Sequence, residues 1–317
     1  MNPDVAGAIP KLVEAGVLPP EEAPRLLRVA RGELVSVFWE LRAILYAGVL
    51  LIMAGVGFLV KENLDRIGPV TIAAGIGLAA AAALAWVVKT APPFSWREAP
   101  SPNLAFDYVL LLGVLLAAAD LAYVEVRFTP LGAAWPWHLL IVSLFTALAA
   151  FRFDSRVVFS LALSTFTAWR GVSVAVLGGH VLWGRSEDAV RWNAIACGVL
   201  FAVLGFVLKR TGRKAHFEPV AVTLGWLLIL GGMASGLASL SWAAALLLAG
   251  AGLAAGAYRF RRFSLFAFGV IAAYVALSRL ALQGVAAEFL SCAWFFVTPL
   301  LVIAGLIVAQ RRMREPL

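Results

Sequence analysis

Charge is what this sequence has least of: only 14% of its 317 residues are Asp, Glu, Lys or Arg, against about 25% in soluble domains. That is too little to coat a soluble globule, which excludes a disordered chain and a soluble enzyme with its own core. Cysteine is nearly missing. Cys197 and Cys292 stand far apart inside apolar runs, which excludes a disulfide scaffold and suits small buried hydrophobes. The three histidines, His138, His180 and His216, are too scattered for a metal site. Also missing are His-Glu-x-x-His, Gly-x-Ser-x-Gly, Gly-x-Gly-Asp and any Walker or dinucleotide glycine pattern. No catalytic residue, metal or cofactor is therefore expected. No signal peptide precedes the first apolar run near Ala43, which places the N-terminus on the side of synthesis.

What is present is apolar sequence, 62% of the chain. A membrane-spanning helix takes about 20 apolar residues, and ten runs of roughly that length can be marked. They cover 43–60, 69–88, 106–124, 135–151, 157–177, 192–208, 220–240, 242–258, 264–282 and 289–309. The fifth is the weakest, because it reaches full length only by including Arg170. With the N-terminus inside, nineteen of the 26 Lys and Arg fall on inner segments and seven on outer ones. This asymmetry is what the positive-inside rule demands. Trp39, Trp86, Trp135, Trp137, Trp192 and Trp242 fall near span ends, as interfacial anchors should, whereas Trp226 and Trp294 fall within spans. The expected fold is all-α: a polytopic bundle of ten spans in a cell membrane, both ends cytoplasmic. The expected parts are a cytosolic amphipathic helical hairpin (1–40), the bundle (41–310) and a basic tail (311–317). Ten spans invite a five-plus-five inverted repeat, but the loop lengths of the two halves do not correspond and no shared motif links them.

The net charge of +8 is accounted for by those inner segments. No basic stretch is interleaved with aromatics for base stacking, so nucleic acid is not an expected partner. In the head, Pro10 can open a short helix that Gly16 closes, and Pro20 a second one with Glu21 and Glu22 in its first turn. Its apolar spacing would let that second helix run into the first span. A DNA-binding helix pair would need a third helix and a basic recognition face, and both are missing.

Two stretches are distinctive. One is Glu14-Ala-Gly-Val-Leu-Pro-Pro-Glu-Glu-Ala-Pro-Arg-Leu-Leu. The other is Tyr46-Ala-Gly-Val-Leu-Leu-Ile-Met-Ala-Gly-Val-Gly-Phe-Leu-Val, followed by Lys61-Glu-Asn-Leu-Asp-Arg-Ile-Gly-Pro. Over residues 12–80 the chain resembles a bacterial family of predicted multi-pass membrane proteins of unknown function. That family opens with a cytosolic helical hairpin, a glycine-rich first span and an Asn-Trp-Asp-x-hydrophobic-x-Pro turn. Asn63, Asp65 and Pro69 match the turn, with Leu64 where tryptophan is usual. The resemblance implies a multi-pass fold in the inner membrane of a bacterium and no activity. Read from the residues alone, Asn63 and Asp65 form an outer turn and Pro69 opens the second span.

Gly232 and Gly236 are four apart, as are Gly252 and Gly256. Small residues at that spacing let helix backbones approach in lipid, so a tightly packed hairpin of the seventh and eighth spans is expected. The ionisable residues well inside spans are Asp120, Arg170 and Arg279. Each lies thirteen to fifteen residues from an inner edge, roughly 20–22 Å deep at about 1.5 Å per residue. Charges at that depth need partners. The candidate binding site is accordingly an outward-facing cavity where Asp120 meets Arg170 or Arg279; the competing reading has the arginines reaching the outer headgroups.

Three function classes follow. A non-enzymatic envelope scaffold or assembly partner needs only apolar packing and a docking element, such as the head or the outer loop 178–191. A transporter or lipid- or small-molecule-handling protein needs the cavity. An intramembrane enzyme needs a nucleophile or metal that the sequence does not offer. The expected partners are the lipid bilayer and another membrane or envelope protein.

Overall fold

In a bilayer a chain must satisfy its backbone hydrogen bonds internally, so apolar runs of this length fold as helices. The computed structural model describes residues 9–10, 12–30, 38–99, 101–103, 105–176, 186–283 and 288–314, and among these there is no strand. A short helix, α1 (Ala23–Ala30), precedes ten long ones. These are α2 (Phe38–Ile67), α3 (Pro69–Thr90), α4 (Phe106–Phe128), α5 (Pro136–Phe153), α6 (Arg156–Val176), α7 (Ser186–Thr211), α8 (Glu218–Ala234), α9 (Leu240–Arg259), α10 (Phe263–Ala281) and α11 (Glu288–Arg314). Among the described residues nine helices are long and apolar enough to cross a membrane. The expected polytopic all-α fold is therefore the observed one. The helix outside those nine is α6, the fifth span, whose sequence is diluted by serine, threonine and arginine. Its hydroxyls turn back onto their own helix: Ser160, Thr165 and Thr167 donate to the carbonyls of Val157, Leu161 and Leu163.

The chain divides into two units, Met1–Asn63 and Leu64–Leu317. In the first, Gly16 takes a left-handed backbone (φ 67). There Gly16 N–H donates to Val13 O and Val17 N–H to Leu12 O, each at 3.0 Å, the helix stop expected at this glycine. The second helix starts at Ala23 rather than Pro20, because Glu22 N–H closes a turn onto Pro19 O at 3.1 Å. Whether it runs into the first span falls on 31–37, outside the described residues. So do residues 177–185, with His180, of the loop expected on the outer side.

The expected turn over 61–69 is corrected. Helix α2 continues through Asn63 and Asp65 to Ile67, and Gly68 alone, at φ 81, separates it from Pro69 at the start of α3. One residue suffices because glycine adopts positive φ without a Cβ penalty and proline needs no amide partner in the first helical turn. Of the expected basic tail, residues 311–314 continue α11, and 315–317 lie outside the described residues.

Within the second unit the helices pair as consecutive hairpins, α3 with α4, α5 with α6, α7 with α8, and α9 with α10. The last two pairs close on glycine. A Cβ on Gly198 would lie 2.5 Å from Gly225 O, and one on Gly250 would lie 2.8 Å from Gly269 O. This corrects the expected hairpin of the seventh and eighth spans for three of its four glycines. Gly232 packs against Ile195 and the Arg191 carbonyl of α7, and Gly236 against the Trp242 ring. Gly252 and Gly256 meet nothing within 4 Å. Spacing identifies a glycine face but not the helix that occupies it. Leu230, Leu246, Leu253, Leu265 and Ala276 form an apolar core among α8, α9 and α10, with Trp226 packed against it. Helix α11 is tied to α10 by Trp294 Nε1 donating to Ser278 Oγ at 3.0 Å and by the Tyr274–Thr298 hydroxyl pair at 2.8 Å.

Candidate functional site

The three span charges do not meet. Asp120 leans on α3, its Oδ2 3.0 Å from where a Cβ on Gly77 would stand. Its Oδ1 is buried without a hydrogen bond among the described residues. Arg170 Nε donates to Asn193 Oδ1 of α7 at 3.1 Å, and its guanidinium lies 5.6 Å from the Trp169 ring. Cys197 is buried one turn farther along α7. Arg279 donates through Nε to Leu237 O at 3.1 Å and through NH2 to Ala238 O at 3.5 Å. Each arginine has taken a different partner on a different helix pair. No ion pair joins the three, which replaces the expected Asp120 pairing. Equal depth along antiparallel spans says nothing about which faces turn toward each other.

Arg191 does a similar job to Arg279. It donates to Ser235 Oγ at 3.2 Å, pairs with Asp188 at 2.5 Å and lies 5.3 Å from the Trp242 ring. Both arginines therefore fasten the short α8–α9 link.

The densest polar cluster lies at the other ends of these helices, on the segments joining each hairpin. Helix α5 ends at Asp154, which is left-handed (φ 65) and donates its own N–H to Ala150 O at 2.8 Å. Aspartate tolerates that backbone better than most residues. Asp154 Oδ1 lies 3.0 Å from Lys214 Nζ and 2.6 Å from His216 Nε2, while Oδ2 accepts from Ala99 N–H at 2.6 Å. The side chains are 5%, 1% and 5% exposed for Asp154, Lys214 and His216. Lys214 is left-handed as well (φ 50), and its N–H donates to Trp96 O at 2.7 Å.

An aromatic floor keeps this cluster dry. Phe159 stacks on Phe217 at 4.6 Å, Phe151 meets both edge-on, and His216 lies 4.2 Å from Phe217. Above it, Lys214 Nζ lies 5.1 Å from the Phe94 ring and Arg213 lies 5.0 Å from Trp96. Such contacts stabilise most where water is excluded, which holds for the buried Lys214 and not for Arg213 and Trp96, which are exposed. Arg156 pairs with Glu98 at 2.7 Å at an exposed site, where an ion pair contributes little. One link farther, Arg262 donates to Glu218 Oε1 at 2.6 Å.

The segment 91–99, the α5–α6 turn and the α7–α8 link are thus joined through one carboxylate. The α9–α10 link is attached to the start of α8. Asp154 and His216 are metal-ligand types, but the Lys214 ammonium occupies the shared oxygen and repels a cation. Among the described residues no three His, Cys, Asp or Glu converge. What this arrangement does is hold helix ends in fixed register. The sequence reading missed it because Asp154 and Lys214 look like ordinary link residues until the fold brings them together. The available signal was an acid in an otherwise basic, very short link.

A cleft of about 500 Å³ opens among α8, α9 and α10, with Lys209 and Arg262 in its lining.

Residues 10–159 match the model of a family described as Predicted membrane protein (DUF2157). The resemblance read over 12–80 holds and extends past α5 and Asp154 into the first turn of α6. Lys214 and His216 lie beyond the matched segment. No curated protein and no solved structure matches the chain.

Proposed function

We propose that this chain, a multi-pass membrane protein whose residues 10–159 match a family of predicted membrane proteins, is a non-enzymatic scaffold or assembly partner in the bacterial inner membrane. The observation that carries this reading is the use made of its polar side chains. Arg170, Arg191 and Arg279 are spent on helix-to-helix contacts, and Asp154, Lys214 and His216 on locking the links of the basic face. A polar path through a transporter needs such groups facing a shared midplane cavity, and here they face helix neighbours. A rigid, basic, cytoplasmic plate suits docking of another membrane or envelope protein.

The test is cross-linking in intact cells followed by purification of the full chain. One partner at fixed stoichiometry is expected, reduced when Asp154→Ala loosens the plate in protein that still inserts. Solute-dependent flux through the purified protein in liposomes, with no such partner, would overturn the reading. Transport is the second reading, and it is favoured by the buried, unbonded Oδ1 of Asp120. It requires that flux be lost in Asp120→Asn.

A further inference from the structure

We infer that the cleft among α8, α9 and α10 is a binding site for an anionic phospholipid of the inner leaflet, with its phosphate on Lys209 and Arg262 and one acyl chain along the slot. The cleft has a volume of about 500 Å³, within the range of about 300–1,000 Å³ usual for ligand pockets. Its walls are apolar, with Trp226, Leu253 and Leu265 among them, and both cations stand at one end. Lys209 lies in the last turn of α7 and Arg262 just before α10, both on the basic face that the Lys and Arg distribution places in the cytoplasm. From there the slot runs to Trp226 and Gly252, eight residues into α8 and eight residues back from Phe260. At about 1.5 Å per residue that is roughly 12 Å, the depth of an upper acyl segment.

Only part of the positive charge in the cleft is cancelled from within: Glu218 pairs with Arg262, and Lys209 is left over. Among the described residues no ion pair engages Lys209. Arg262 gives Glu218 one N–H, through NH1, out of the five that a guanidinium carries. Basic pockets between membrane helices on the cytoplasmic side select acidic headgroups. The glycines fit the same picture. Gly252 and Gly256 line the open side, where a Cβ would meet nothing within 4 Å. Their lack of a side chain makes the slot instead of a helix contact. A second cleft of about 230 Å³ between α8 and α10 has an apolar lining with no cation, so it offers a headgroup nothing.

The test uses the full-length protein in detergent, titrated with phosphatidylglycerol, with phosphatidylcholine of the same chains and with inorganic phosphate, and read by native mass spectrometry. The expected result is preferential retention of phosphatidylglycerol. Lys209→Gln weakens it about fivefold, as loss of one near-surface cation should, and Lys209→Arg retains it. Gly256→Leu fills the slot without touching charge and lowers retention of both lipids. Equal retention of the two lipids by the wild-type protein overturns the proposal. So does a preference unchanged in Lys209→Gln together with retention unchanged in Gly256→Leu. Inorganic phosphate displacing phosphatidylglycerol at equal concentration also overturns it, since the slot would then contribute nothing.

Discussion

Asp154 and Lys214, sixty residues apart in the chain, face each other at 3.0 Å with their side chains 5% and 1% exposed. Both stand in left-handed backbone at the ends of helices. A pair so dry is costly to assemble and more costly to break, because removing one partner strands a charge.

Lys214→Met is therefore expected to destabilise the protein by about 3–5 kcal/mol. The double variant Asp154→Asn with Lys214→Met should lose less than Lys214→Met alone, since no bare carboxylate remains. Unfolding in detergent micelles, followed by tryptophan fluorescence, gives both values. A single variant as stable as wild type would show that water reaches the pair.

Gly198 and Gly225 are where α7 and α8 touch backbone to backbone. Gly198→Leu should cost more than the roughly 1–3 kcal/mol typical of an overpacked core, because a carbonyl oxygen cannot step aside as a side chain can. Gly252→Ala should be neutral or slightly stabilising, since glycine is disfavoured in a helix by about 1 kcal/mol relative to alanine. Thermal midpoints of the two variants should therefore move apart. Equal loss in both would mean that α9 packs on a partner through Gly252.

Arg170 and Asn193 bridge α6 and α7. A double-mutant cycle with Arg170→Met and Asn193→Leu should return a coupling of about 0.6–1.7 kcal/mol, the scale of polar contacts between membrane helices. Zero coupling would mean that Arg170 finds its partner in the headgroups instead.

Single cysteines at positions 120, 170 and 279, with Cys197 and Cys292 replaced, should respond unequally to a membrane-impermeant thiol reagent. Position 279 is exposed at the end of α10 and should label above lipid-facing controls of equal depth. Positions 120 and 170, packed against α3 and α7, should not. Labelling of all three would restore the common water-filled cavity that the hydrogen-bond partners argue against.

Much of the fold was legible because lipid leaves the chain few options. Ten apolar runs became ten long helices, with ends that differ from the expected ones by up to seven residues. Trp86, Trp135, Trp137 and Trp192 are exposed on the surface, whereas Trp294 bonds Ser278. Ends were misjudged where a local bond overrode composition: Glu22 onto Pro19 delayed α1, and a single glycine at 68 let α2 run on through Asn63 and Asp65.

The candidate site was not legible, and the reason is geometric. Depth follows from residue count, so Asp120, Arg170 and Arg279 could be placed at one level. Azimuth does not, because it depends on how each helix rotates against its neighbours. The same gap misassigned Gly232, Gly252 and Gly256 to the α8–α9 hairpin, where of the four only Gly236 packs, and left Gly198, Gly225, Gly250 and Gly269 unnoticed.

By itself, then, the sequence determined that this is a helical membrane protein, roughly where its spans begin and end, and which ends are basic. Apolar length and charge asymmetry are local properties, and a bilayer reads them one segment at a time. Only the tertiary structure decided that Asp154 would meet Lys214 and His216, that each arginine would take a separate partner, and that Gly252 and Gly256 would face a cleft. Those outcomes rest on which helix faces turn inward, and that is settled by packing among all the helices together.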